Sequence, residues 1–240
     1  MAVTGFLAGS FLVGLAIGSF LNVLTLRLGR EPLTGRSRCL HCGKTLDFWE
    51  LIPLVSFFVQ QGRCRACQAK LSLQYPVVEF LTGLAFLLIS ARFLLWLPSG
   101  LQATFFFSGF GWWLWIFLIF WLFFASLLLA IAVYDLKHYL IPDALIWPAT
   151  AGAVLYAVFL HFLWRSSPPL FPQTGLVFSG EAALLLGRSS GSIIFAILGA
   201  IFSVGLIGSV YFISRGRAMG FGDVEVALFL GLALGWPDVL

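Results

Sequence analysis

Apolar residues in this chain come in long unbroken runs, not in the alternation of a half-buried strand or the narrow stripe of a surface helix. Five runs cover roughly 3–26, 77–97, 112–134, 141–163 and 191–213. Each reaches the roughly 20 residues that a helix needs to cross the hydrocarbon of a bilayer. A sixth begins near Val224 and is about 17 residues long when the sequence stops at Leu240. The one long polar stretch, about 27–75, lies between the first two runs. The segment 164–190 reads as an irregular loop, and the aromatic run 105-FFFSGFGWWLWIFLIFWLFF-124 as a lipid-facing helix with an interfacial belt. The pattern predicts an all-α polytopic membrane protein of about six transmembrane helices. Its expected parts are a first transmembrane helix (1–26), a polar module (27–75) and a membrane core (76–240).

Composition agrees: 60% of residues are hydrophobic and 10% charged, where a soluble domain carries about 25% charged residues. The N-terminus has neither a basic leading region nor a convincing cleavage end, so the first run reads as a retained span. The net charge of +4 says less than where the charges fall. Arg27, Arg30, Arg36, Arg38, Lys44, Arg63, Arg65 and Lys70 all lie in the polar stretch. If that stretch is cytoplasmic, alternation puts Lys137, Arg215 and Arg217 inside as well and leaves only Arg165 and Arg188 outside. Basic residues concentrate in cytoplasmic loops, so the N-terminus is expected outside and 27–75 inside. Asp135 and Asp223 then fall at the cytoplasmic edge of the bilayer.

The polar stretch holds all four cysteines, as 39-CLHC-42 and 64-CRAC-67. Two CxxC pairs at this spacing form a four-thiolate zinc pattern, with no open coordination position. A labile disulfide is the rival account, disfavoured in a reducing cytoplasm. Arg38, Lys44, Arg63 and Arg65 stand near enough in sequence to offset the charge of a tetrathiolate, and His41 reads as a solvated loop residue.

Ionisable groups at membrane depth are costly, which makes each a functional candidate. They are Glu79, Asp135, Asp143, Asp223 and Glu225, with Arg92 near enough to a span end to snorkel. Asp143 has two accounts, a functional one and a favourable charge at a helix N-terminus. Asp135 sits at the unfavourable end of its helix dipole, where Lys137 or His138 could compensate it. Asp223 follows Gly220-Phe221-Gly222, and glycine permits close backbone approach. Carboxylates brought together share one proton, which leaves one as general base for a water and the other to polarise a carbonyl. No Ser/His/Asp order, HExxH or phosphate-binding loop offers comparable machinery. Glu79 reads more readily as a structural hydrogen-bond partner. Asn22, in the first span, has two open accounts, an interhelical hydrogen bond and a substrate contact.

In this order the motifs resemble the type IV prepilin peptidases, membrane aspartyl proteases of the GxGD class. The resemblance runs from 18-GSFLNV-23, with Arg27 and Pro32, through both CxxC pairs bracketing 52-IPLVSF-57 and 74-QYPVVEFLTG-83. It continues through 134-YDLKHYLIPD-143 to 219-MGFGDVEVALFLGLALGW-236. It implies a multi-pass protein of the bacterial inner membrane that removes the short basic leader from prepilin or pseudopilin precursors. The catalytic pair would be Asp135 and Asp223, and the metal ligands Cys39, Cys42, Cys64 and Cys67. It also implies N-methylation of the new terminus with S-adenosylmethionine, a structural zinc ion, and no nucleic-acid partner. The chain departs from the family's pattern in having Glu225 where lysine is usual, and in stopping at Leu240 inside the last membrane region. That stop reads as a truncated product or an incomplete sequence. The rival class is a proton-coupled carrier or an assembly scaffold, which would show internal repeats or midplane charges.

Overall fold

In hydrocarbon every backbone N–H and C=O must find its partner within the protein, and this chain meets that demand with helices. The computed structural model describes residues 2–29, 32–96, 112–166, 191–236 and 239. The helices are α1 (Ala2–Arg27), the short α2 (Val55–Val59), α3 (Gln74–Trp96), α4 (Trp112–His138), α5 (Asp143–Ser166), α6 (Gly191–Ser214) and α7 (Phe221–Leu234). A 3₁₀ turn covers Phe48–Glu50. Among the described residues there is no strand, only isolated bridges at Arg38–Thr45 and Arg63–Lys70. Among the described residues five helices are long and apolar enough to cross a membrane: Ala2–Arg27, Gln74–Leu95, Leu114–His138, Asp143–Phe162 and Ile193–Ser214. The sixth run appears as α7, whose 14 residues fall short of the roughly 20 needed to span. The loop expected over 164–190 lies outside the described residues from 167 onward, as does the aromatic segment 105–111.

Helix ends differ from the hydropathy limits where polar residues continue a helix. α3 begins at Gln74 rather than 77, and α4 carries Asp135, Lys137 and His138 in its last turn. At α5 the helix starts one residue after Pro142, whose carbonyl accepts hydrogen bonds from Leu145 (2.9 Å) and Ile146 (3.3 Å). Proline's missing N–H costs nothing at that boundary.

The chain divides into two compact units, Met1–Val133 and Tyr134–Leu240. In the first, α1 and α3 form a tight antiparallel pair. Gly14 lies against Gly83 and Phe86, and Gly18 against Glu79. A Cβ at Gly18 would sit 2.7 Å from the Glu79 Cα, so the backbones touch where larger residues would hold them apart. Phe93 of α3 stacks on Phe117 of α4 with ring centroids 5.9 Å apart.

In the second unit α5, α6 and α7 pack together, and α6 and α7 repeat the glycine device. A Cβ at Gly231 would lie 2.5 Å from the Gly199 carbonyl oxygen and 2.6 Å from the Ala200 Cα. The Ser203 hydroxyl donates to the Ala227 carbonyl across the same interface (2.7 Å). Past the end of α7, the Trp236 N–H donates to the Phe195 carbonyl (2.9 Å).

A Cβ there also meets the Ser203 hydroxyl, but the Gly199 and Ala200 atoms are backbone and cannot rotate away. Gly231→Val is expected to destabilise the α6–α7 pair by about 1–3 kcal/mol or more. Gly205→Ala, where an added Cβ meets nothing within 4 Å, is expected to be neutral or stabilising by roughly 0.5–1 kcal/mol. Thermal unfolding in detergent measures both, and equal effects at the two positions would refute the close-approach account.

Candidate active site and metal site

The first aspartate motif is built where α4 stops. Asp135 lies in the last helical turn and is half-buried. The turn closes when the Tyr139 N–H donates to the Asp135 carbonyl (2.7 Å), with Tyr139 in the left-handed region at φ +53°. A side chain rarely adopts that conformation without a reason in the surroundings. His138 stacks on Tyr134, ring centroids 4.2 Å apart. Among the described residues Lys137 makes no ion pair with Asp135, so the compensation considered from the sequence does not take that form. Asp143 is exposed in the first turn of α5, on the favourable end of that helix dipole.

The second motif opens α7. Asp223 is half-buried, and its Oδ2 accepts from the Gly220 backbone N–H (3.0 Å). The Asp223 N–H in turn donates to the Gly220 carbonyl (3.3 Å). This is the side-chain half of a capping box, which stabilises a helix start and orients the carboxylate that makes it. Glu225 is also half-buried and follows about 200° around the helix.

A close contact joins the motifs. Ile141, in the link between Asp135 and Asp143, packs on Gly222, and a Cβ at Gly222 would sit 2.9 Å from the Ile141 Cβ. The glycine before Asp223 therefore admits the segment that follows Asp135. Among the described residues no hydrogen bond joins the two carboxylates directly.

The four cysteines are brought together by two turns of matching construction. In the first, Cys39 N–H donates to the Lys44 carbonyl (2.9 Å) and Gly43 N–H to the Cys39 carbonyl (3.0 Å). In the second, Cys64 N–H donates to the Ala69 carbonyl (2.9 Å) and Gln68 N–H to the Cys64 carbonyl (2.9 Å). Gly43 and Gln68 occupy equivalent left-handed positions, φ +71° and +57°. The ligand atoms of Cys39, Cys42, Cys64 and Cys67 all lie within 4.8 Å of one another, so they can hold one metal ion. The backbone N–H groups of Cys42 and then His41 hold the Cys39 thiol down, at about 6. The Ala69 N–H pulls Cys67 down too, but desolvation and the neighbouring thiols outweigh it and push Cys67 up to about 11.

Two acidic residues tie this module down. Glu50, absent from the sequence reading, is buried and accepts from the Asp47 N–H (2.9 Å) and the Lys44 ammonium (3.3 Å). Lys44 is thus engaged by Glu50, and by Asp47 at 3.8 Å, rather than left to balance thiolates. A glutamate three residues after an aspartate at a helix start was the signal available in 47-DFWE-50. Glu79 is structural, as expected: it accepts from the Leu54 N–H (2.8 Å), pinning a residue at φ +60° onto α3. Asn22, only 2% exposed, donates to the Tyr75 carbonyl (3.1 Å) and so bridges α1 to α3. Among the described residues the Asn22 Oδ1 has no hydrogen-bond partner.

Comparison with known proteins places this arrangement. The apolar helices and the four-thiol cluster define a multi-pass membrane protein with a small metal-binding module. Residues 12–93 match the Bacterial Peptidase A24 N-terminal domain, and residues 122–240 match the Type IV leader peptidase family. A Prepilin leader peptidase/N-methyltransferase of Myxococcus xanthus is 30% identical over 96% of this chain and 56% of its own length. A Type 4 prepilin-like proteins leader peptide-processing enzyme of Escherichia coli is 32% identical, over 92% of this chain and 74% of its own. A Prepilin leader peptidase/N-methyltransferase of Bacillus subtilis is 28% identical, over 94% of this chain and 72% of its own. No solved structure matches. The chain belongs to the type IV leader peptidase family, as the order of its motifs indicated. It spans little more than half the length of the Myxococcus relative.

The buried Glu50 carboxyl is held below its ordinary value, first by the Asp47 N–H and then by Lys44. Its contribution to module stability is therefore present above the ordinary carboxylate range and lost as pH falls through the depressed value. Glu50→Gln is expected to make residues 36–70 more sensitive to protease than the parent at neutral pH, with the gap closing in acid below about 4.5. A gap that widens on acidification would refute the assignment.

Proposed function

We propose that this protein is a membrane aspartic endopeptidase that removes the short basic leader of prepilin-like precursors, with Asp135 and Asp223 as its catalytic pair. The observation that carries the reading is the Ile141–Gly222 contact, which packs the segment after Asp135 onto the turn that presents Asp223. The names carried by the relatives supply the substrate class. In the reaction one carboxylate takes a proton from water, whose oxygen bonds to the scissile carbonyl carbon. The protonated partner donates to the carbonyl oxygen. Collapse breaks the C–N bond as the carboxyl that took the water's proton passes it to the departing amine, and the proton on the former carbonyl oxygen returns to the partner carboxylate. The capping bond from Gly220 orients the Asp223 carboxylate for this work. The excess of Lys and Arg in 27–75, 137 and 215–217 supports placing both aspartates at the inner face of the bacterial cytoplasmic membrane.

The four cysteines are proposed to bind zinc as a structural ion. The Cys39 and Cys67 sulfurs are 3.9 Å apart, close to the ~3.8 Å edge of a tetrahedron with Zn–S bonds of about 2.3 Å. The ion would replace the hydrophobic core that so short a module lacks. N-methylation of the new terminus is proposed from the relatives' names, with S-adenosylmethionine supplying an electrophilic methyl group. No described cluster of side chains marks a seat for that donor.

Asp135→Asn and Asp223→Asn are each expected to lower leader removal by roughly 10²–10⁴-fold or more, with insertion and helicity unchanged. Processing by either variant at the parent rate would overturn the pair. Elemental analysis of purified protein should find one zinc per chain, by the four-ligand logic of a closed site. Chelation should open residues 36–70 to protease while the membrane helices keep their circular dichroism. A metal-free yet protease-resistant module would overturn the zinc assignment.

A further inference from the structure

The four-cysteine module is built inside out for a domain surrounded by water. From Pro32 to Leu73 its buried residues are Cys39, Glu50 and Cys64. Large apolar side chains are instead open: Leu40 is 76% exposed, Phe48 73%, Trp49 69% and Phe58 70%, with Val55 and Val59 alongside. They come from the first cysteine turn, the 3₁₀ turn and α2, and Phe48 and Trp49 meet edge to face at 5.7 Å. Monomeric proteins do not leave this much aromatic surface in water without a use for it.

The same module is basic. Arg36, Arg38, Arg63, Arg65 and Lys70 are all exposed, and none of them forms an ion pair among the described residues. Against them stand Asp47 and Glu50, both engaged by Lys44, and the roughly two net negative charges of a four-thiolate zinc site, which leaves the exposed surface basic. The tether decides where this surface can go. The chain leaves α1 at Arg27 and re-enters α3 at Gln74, and the two helices are antiparallel membrane-length partners in contact along Gly14–Gly83 and Gly18–Glu79. Both ends of the module are therefore held at one bilayer face. Glu79 pins its base through Leu54, and beside it Asn22 joins α1 to the start of α3 at Tyr75.

We infer that the module lies on the bilayer, with Trp49, Phe48 and Phe58 among the acyl-chain boundary and its free arginines on acidic phospholipid headgroups. Aromatic rings prefer that depth, and basic residues beside it are drawn to anionic lipid. The charges also argue against the other candidate occupant, because a basic leader is repelled by them. The inference stands apart from the peptidase reading, since it needs only the tether and the surface.

The test uses the full chain with its metal in nanodiscs, and takes the emission difference between the parent and Trp49→Phe as the signal of Trp49. In discs containing phosphatidylglycerol, lipids brominated near the headgroup are expected to reduce that signal about twofold, while aqueous iodide leaves it. Replacing phosphatidylglycerol by phosphatidylcholine should relieve most of the quenching. A signal quenched by iodide and untouched by bromine would overturn the proposal. So would one shielded from iodide only when a precursor peptide is added, which would make the surface a substrate site. Bromine quenching indifferent to phosphatidylglycerol would overturn the acidic-lipid assignment. Equal metal content in parent and Trp49→Phe verifies that the variant is folded.

Discussion

Close approach of backbones at glycine is the constraint on which this structure depends. Between helices in lipid there is no hydrophobic drive, because acyl chains are as apolar as leucine, so association rests on van der Waals contact and a few hydrogen bonds. Contact is greatest where no Cβ intervenes. Gly14 and Gly18 set α1 on α3, Gly199 and Gly231 set α6 on α7, and Gly222 admits Ile141. The first two pairs make helix hairpins. The third is different in kind, since it joins a loop to a helix start, and the residues flanking that junction are the ones with chemistry to offer.

The four-cysteine module solves a separate problem. A segment of this length cannot bury enough apolar surface to fold on that basis. It buries thiols and one carboxylate instead, which demands a cation for the sulfurs and donors for Glu50. Lys44 and the Asp47 N–H satisfy Glu50, which links the first cysteine turn to the 3₁₀ turn that follows. Glu79 continues the connection by holding Leu54 in a conformation that a leucine rarely adopts. The module is thus anchored to the membrane helices by polar contacts, and its apolar side chains are left free for another surface.

Much of this was legible beforehand. Span positions follow from uninterrupted apolar runs, because bilayer thickness imposes a length that no other environment does. Cys39, Cys42, Cys64 and Cys67 declare a metal site by spacing alone, since two residues between thiols is what a tight turn requires. Glu50 was missed because a carboxylate beside aromatic residues in a polar loop looks solvated until its burial is known. The ends of α3 and α4 were placed short because hydropathy stops where polar residues start, while the helix continues through them.

By itself the sequence determined the class of protein, the five membrane-length helices and the four-cysteine cluster, all of which are local properties of composition and spacing. The tertiary structure alone decided that Ile141 rests on Gly222, that the Asp223 carboxylate caps its own helix, and that Glu79 reaches back to Leu54. These contacts join residues 25 or more positions apart or depend on the exact course of a turn. No periodicity encodes them, because each is set by how closely two backbones can approach once the helices have packed.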